Sequence, residues 1–257
     1  MEKNFFEWVL FFIQGNWQQF LLGTATTLLV SLSGTIIGFF LGLGVSLIQY
    51  TKADDKSSKL FKGFIKFLKI LISIYITIFR GTPMIVQAMV IFYGLPQLIG
   101  LNLDPLPAAL LIVSINTGAY MAEMIRGGVD SVDPGQLEGA QAIGMSHFQA
   151  MISIIFPQAV RNVLPSIGNE FIINIKDTSV LNVIGVTELF FTSKSIAGSY
   201  AKYYEVFIIT SVIYLFLTFT ISLILNAIEK KIDGPKNFEI LPLQDGNNVV
   251  IKKGKGV

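Results

Sequence analysis

The sequence predicts an all-α membrane protein with about five transmembrane helices, its N-terminus outside and its C-terminus in the cytosol. Three observations carry this reading. Of 257 residues, 52% are hydrophobic and only 14% charged, against roughly 25% charged in soluble domains. The apolar residues collect in runs long enough for a bilayer, which takes about 20 residues per helix. Lys and Arg are also unevenly shared between the connections. Fourteen fall on one side: a lysine-rich loop from Lys52 to Lys69, then Arg126, Arg161, and a tail from Lys230 to Lys255. Four fall on the other: Lys3, Lys176, Lys194 and Lys202. The richer side is cytosolic by the positive-inside rule.

Residues 1–16 come first. Phe5, Phe6, Val9, Phe12 and Ile13 recur at helical spacing beside Trp8. Acidic residues flank Lys3, and no cleavage signal follows, so the stretch reads as an amphipathic helix on the membrane surface. A membrane domain over 17–232 is expected to follow. Its first span runs from about Phe20 to Ile48 and carries Gly34, Gly38 and Gly42 four apart, a stripe that lets another helix approach closely. The second, about Ile70 to Ile99, is interrupted at Arg80-Gly81-Thr82-Pro83, because Pro83 lacks an N–H and clashes with the preceding turn. The third covers Leu106 to Ile125. The fourth lies within Ile152 to Ile175 and contains Pro157 and Pro165. Val206 to Ile228 is the fifth, and residues 233–257 read as a loosely ordered cytosolic tail.

Between the third and fourth spans the sequence predicts a short cytosolic helix over about 134–143. Asp133 caps it, Pro134 takes the first position, and Gly144 offers a left-handed stop. Ser146 and Gln149 form a second capping box, so a new helix starts at 147. Gly135, Gly139, Ala140 and Ala142 leave the surface of the short helix smooth. It fits a groove on another protein, or it packs on its own bundle.

Within EGAQAIGMSHFQAMISIIFP, Glu138-Gly139-Ala140, Gly144, Ile154 and Pro157 stand in register. This resembles the signature of membrane subunits of bacterial ATP-binding-cassette importers, which reads Glu-Ala-Ala, three residues, Gly, nine residues, Ile-x-Leu-Pro. Gly139 replaces an Ala and Phe156 the Leu. FRGTPMIVQ (79–87), AYMAEMIRGGVDSV (119–132), GNEFI (168–172) and KDTSVLNVIGVTEL (176–189) are similar to the polar amino acid branch, of the histidine and glutamine permease kind.

The resemblance implies that helix 134–143 is a coupling helix, seated in a cleft of a cytosolic ATPase subunit. Glu138, Gly139, Ala140, Gly144 and Pro157 would serve that contact. It implies two ATPases per complex, a second permease chain of the same or a sister kind, and an extracytoplasmic amino-acid-binding protein. The setting is the bacterial plasma membrane, crossed several times, with no nucleic-acid partner. The chain holds no Gly-x-x-x-x-Gly-Lys-Ser/Thr run, so ATP and Mg would be bound by the partner, and no cofactor is expected here. The chain itself is then not an enzyme.

Ionisable groups at membrane depth are costly and mark function. Arg80 sits ten residues past Ile70, about 15 Å, near mid-membrane at a helix break. An Arg fork matches a carboxylate, so Arg80 either binds substrate or pairs with Glu123 or Glu170. Thr82 and Gln87 flank the break; Asn116, Thr117, Tyr120 and Glu123 are assigned to one face of the third span, and Glu170 to mid-depth in the fourth. Glu123 accepts a substrate ammonium or neutralises Arg126. His147 reads as a solvated side chain. With no Cys and one His, cysteine nucleophiles, thiolate sites and histidine metal clusters are excluded, and no metal ligand set is expected. The reading is a permease subunit for polar amino acids. Its competitors are another small solute and, against the lack of an inverted repeat, a proton-coupled transporter using Glu123 and Glu170.

Overall fold

The computed structural model describes residues 3–51, 58–233, 238–240 and 251–253. Lys52, Lys56, Lys236 and Lys255, counted above for orientation, lie outside the described residues. The fold is all-helical through the membrane domain. Four helical segments are long and apolar enough to cross a membrane: Phe5–Tyr50, Pro105–Asp130, His147–Ile184 and Tyr203–Lys231.

Helix α1 (Phe5–Tyr50) starts on a capping box between Asn4 and Glu7. It does not stop where a surface helix was expected to end. It runs unbroken through Gly15 for 46 residues, about 69 Å. The cause is packing: Phe12 and Phe20 are buried against Leu189, Ile196 and Val206, with Trp8 and Phe11 beside them. Phe12, Trp8 and Phe11 thus cover protein, while Phe6 stays exposed.

The second predicted span is broken as expected, into α2 (Lys59–Gly81) and α3 (Met84–Ile99). Helix α2 begins eleven residues before the expected Ile70. Helix α4 (Pro105–Asp130) is the centre of the fold. Ala108, Ala109, Ile112, Val113, Ala119, Met121, Ala122 and Ile125 are fully buried in it. The glycine stripe of α1 meets α4. A Cβ at Gly38 would stand 2.7 Å from Thr117, and one at Gly42 would stand 2.5 Å from Met121. Ser46 donates to the Ala122 carbonyl at 3.0 Å along the same seam. Close approach of two backbones is what small-residue spacing permits.

Helix α5 (Pro134–Ala142) ends one residue short of its predicted limit. Asp133 accepts from the Gly135 N–H at 2.8 Å. Gly144 has φ +88°, and the Met145 N–H reaches the Ala140 carbonyl at 3.1 Å, a Schellman stop. Helix α6 (His147–Ala150) follows on the Ser146–Gln149 box. A π-helical turn, Met151–Ile155, then leads into α7 (Phe156–Asp177). Pro157 explains the turn, since it has no N–H to give Ser153 and its ring crowds that carbonyl.

After a 3₁₀ segment, Thr178–Ile184, come α8 (Leu189–Tyr200) and α9 (Tyr203–Asp233). Glu188 caps α8 through the N–H groups of Phe190 and Phe191 at 2.8 and 2.6 Å. Burial raises its carboxyl above the ordinary range, and those bonds only partly oppose it. In the tail, Phe238–Ile240 pairs antiparallel with Ile251–Lys253 as strands β1 and β2, where no regular structure was expected.

Candidate functional site

A broken helix leaves carbonyls with no intrahelical donor, and at membrane depth they need partners. Gln87 supplies them. Its Nε2 donates to the Phe79 carbonyl at 2.9 Å, the Thr82 carbonyl at 2.8 Å and Thr82 Oγ1 at 2.9 Å. Asn116 on α4 donates to Gln87 Oε1 at 2.8 Å. Gln87 and Asn116 are both buried. These two residues, predicted to face substrate, therefore hold the α2–α3 break shut and tie it to α4. Gln87→Leu should leave the Thr82 carbonyl unsatisfied and the Phe79 carbonyl with only a long contact from Asn116 at 3.5 Å, costing about 1–3 kcal/mol. A fall in apparent Tm of the purified protein, without a change in its oligomeric size, checks this.

Arg80 leaves the break on the other side. Its Nη1 lies 3.6 Å from Glu123 Oε2, and its Cζ lies 5.8 Å from the Tyr120 ring centre. The pairing with Glu123, one of the alternatives, is thus present; none forms with Glu170. Arg80 keeps 40% of its side chain exposed, so part of the guanidinium fork is open to a second anion. Of the predicted substrate residues, Tyr120 and Glu123 stand beside it, while Thr82, Gln87 and Asn116 form the network at the break.

Thr117 does not. It lies about 100° around the helix from Asn116, is fully buried, and exchanges hydrogen bonds with Asn174 at 3.0–3.2 Å. Asn174 also donates to Thr35 at 2.8 Å. This amide bolts α1, α4 and α7 together. The assignment of Thr117 to the face of Tyr120 and Glu123 is thereby corrected. Glu170 is buried one turn before Asn174, away from the cluster.

Glu123 also meets Arg126 in a short ion pair, and Arg126 reaches Asp130 at 3.0 Å. Tyr50, the last residue of α1, donates to Asp130 at 2.7 Å. The Tyr50 carbonyl in turn takes His147 Nε2 at 3.0 Å. His147 is docked rather than free, with Nδ1 buried and unpartnered. A chain of contacts therefore runs from Arg80 through Glu123, Arg126, Asp130 and Tyr50 to the start of α6. Sequence reading missed Asp130, Tyr50 and His147 as members, because 80 and 97 residues separate the pairs.

Helix α5 rests on the bundle by Ala140, which is buried, and by Leu137, which packs against the cluster of Met151 and Ile155. Glu138 and Gly139 point outward, and no atom stands within 4 Å of a Cβ at Gly139. Ile143 is 79% exposed at the tip, an apolar knob that the sequence pattern did not single out. Pro157 lies behind, at the π turn. A hollow of about 190 Å³ opens at the break between Ile78, Thr82 and Val90. A larger groove of about 570 Å³ lies elsewhere, between α1, α7 and α9, and includes none of Arg80, Tyr120 or Glu123.

The chain is 34% identical over 210 residues to the arginine transport system permease protein ArtQ of Bacillus subtilis (strain 168), covering 82% of this chain and 90% of that one. It is 40% identical over 159 residues to the glutamine transport system permease protein GlnP of Escherichia coli (strain K12), covering 62% and 73%. The crystal structure of an amino acid ABC transporter with histidines superposes with a TM-score of 0.76 at 35% identity, over 90% of this chain and 100% of that one. The MetNI methionine ABC transporter shares the fold, with a TM-score of 0.67 at 17% identity. Residues 61–234 match the family described as binding-protein-dependent transport system inner membrane component. The chain, with its capped α5 and its broken α2–α3, belongs to that family.

Proposed function

We propose that this chain is the translocation subunit of an ATP-driven importer for polar amino acids. Two copies, or this chain and a sister, would enclose the pathway. Each would take one cytosolic ATPase on α5, with ATP and Mg held by the ATPase. A binding protein outside would deliver the cargo, and α5 would lie on the cytosolic side of the plasma membrane.

One observation carries the reading. Helix α5 is capped at both ends, exposed on its outer face, and joined through α6 and Tyr50 to the chain of charges that ends at Arg80. A push on α5 would therefore reach the cluster in which the part-exposed Arg80 side chain can meet a carboxylate. Arg80 would take the carboxylate; Glu123, held by Arg126, would remain near enough for an ammonium. That pair suits a zwitterion.

Gly144→Val tests the handle. A β-branched residue at φ +88° opposes the left-handed turn, so α5 should tilt and lose its ATPase. Co-purification of the ATPase should drop at least tenfold while the membrane domain keeps its Tm; retention of the ATPase would remove the assignment of α5. The cargo is tested by ATPase stimulation in vesicles holding the whole complex, screened over the twenty amino acids and cystine with the binding protein. Silence with all of them would leave another small solute as the cargo.

A further inference from the structure

Helix α2 has three faces. At about 100° per residue, Ile72 and Ile76 fall on one line, and these are its buried residues, packed with Ala122, Val45 and Ile48. Leu60, Phe64, Phe67, Leu71, Ile74 and Ile78 fall on a second line, and each is 46–86% exposed. Lys59, Lys62, Lys66, Lys69, Ser73, Thr77 and Arg80 fall on a third, away from the second.

From Leu60 to Ile78 the apolar line runs 18 residue steps, about 27 Å; its upper part, Leu71 to Ile78, lies beside Arg80, and its lower part, Leu60 to Phe67, lies at the lysine-bearing end. Acyl chains are the fitting neighbour of the upper part. The third line cannot share that neighbour. It carries Arg80 at membrane depth, and Ser73 and Thr77 on it are exposed too. Charged groups at that depth face a bundle interior or water. The lysines continue the line toward the end of the bundle where Tyr50 meets His147, because Ile72 packs level with Val45 and Ile48. Among the described residues, Lys59, Lys66 and Lys69 take part in no ion pair. Among the described residues, Glu123 is engaged by Arg80 and Arg126, and Asp130 by Arg126 and Tyr50.

We propose that this third face of α2 lines an aqueous conduit about 32 Å long from the Arg80–Glu123 cluster to the α5 end, and that its lysine ladder favours anionic and zwitterionic solutes over cationic ones. The inference rests on the transporter reading and adds a charge preference to it. A low-dielectric wall focuses the field of such a ladder and raises the local concentration of opposite charge by tenfold or more.

The chain has no Cys, so each introduced thiol is unique within it. Ser73→Cys, Thr77→Cys, Ile74→Cys and Ile78→Cys are made singly in the whole complex, nucleotide-free, in lipid nanodiscs. Each is treated with methanethiosulfonates bearing a sulfonate or a trimethylammonium, and modification of this chain is read by mass spectrometry. Labelling after denaturation confirms that every thiol is present. The Ser73→Cys and Thr77→Cys variants should react, with the sulfonate favoured about tenfold relative to a free thiol, and the two Ile variants should stay protected. Adding Lys59→Gln, Lys66→Gln and Lys69→Gln should bring the ratio back to that of the free thiol.

Reaction at Ile74→Cys and Ile78→Cys in place of the other pair would overturn the conduit. Protection of all four would do the same, leaving the lysines as a surface anchor for anionic headgroups. A reactive pair without charge preference, or with one unmoved by the lysine changes, would overturn the selectivity. None of these rates depends on ATPase attachment, so loss of the coupling assignment through Gly144→Val would be recognised separately.

Discussion

Arg80→Ala is expected to lower substrate-stimulated ATP turnover on the order of 100-fold, the size set by losing a charge-assisted hydrogen bond worth about 1.5–3 kcal/mol. Assembly with the ATPase and thermal stability should stay near those of the parent. The separation follows from the geometry. Arg80 is 40% exposed and sits 3.6 Å from Glu123, a solvent-screened contact worth at most about 1 kcal/mol. Glu123 keeps Arg126 when Arg80 is removed, so no carboxylate is stranded. The Phe79 and Thr82 carbonyls at the break belong to Gln87, not to Arg80, so the break keeps its shape. Stimulated and basal ATPase rates in reconstituted vesicles, beside a melting curve, check both halves. Undiminished uptake by the variant would reduce Arg80 to a tie between α2 and α4.

The second large effect belongs to the α1–α4 seam. Gly38→Leu should prevent a stable folded protein from accumulating. Its Cβ alone would stand 2.7 Å from Thr117 and 3.1 Å from the Gly118 nitrogen, and a backbone atom cannot swing aside as a side-chain tip can. Overpacking of this kind costs about 1–3 kcal/mol per site. Here it also pries Thr117 from Asn174 and strands buried polar groups. Gly44→Leu is the matched control, since nothing stands within 4 Å of its Cβ on the same helix. Size-exclusion profiles and melting in detergent should separate the two by many degrees. Equal behaviour would mean that α1 can slide on α4.

The apolar helices and the short capped helix α5 could be read from sequence because their signals are local. Apolar run length marks a span, and Asp133, Pro134 and Gly144 punctuate α5 within a dozen residues. What escaped was set by distant partners. Gln87 draws notice as a polar side chain in an apolar run, but its structural role is not local. The carbonyls that claim it appear only once the chain has broken at Pro83. Thr117 was misplaced by grouping four polar residues of α4 on one side, although adjacent residues diverge by about 100°. Asn174, the three-helix bolt, carries no local signal; its partners Thr35 and Thr117 are 139 and 57 residues away. The continuous course of α1 was hidden because Phe12 and Phe20 suit a lipid surface as well as they suit α8.

The wide turn at Met151–Ile155 has a consequence for heredity. One residue more than an α-helix would need is lodged between the α5–α6 elbow and α7. Losing a single codon there would let the helix close into regular winding. Everything before it would then rotate by about a quarter turn relative to α7. Ile143 and Glu138 would be carried around the rim of the bundle, away from the direction in which they now stand exposed.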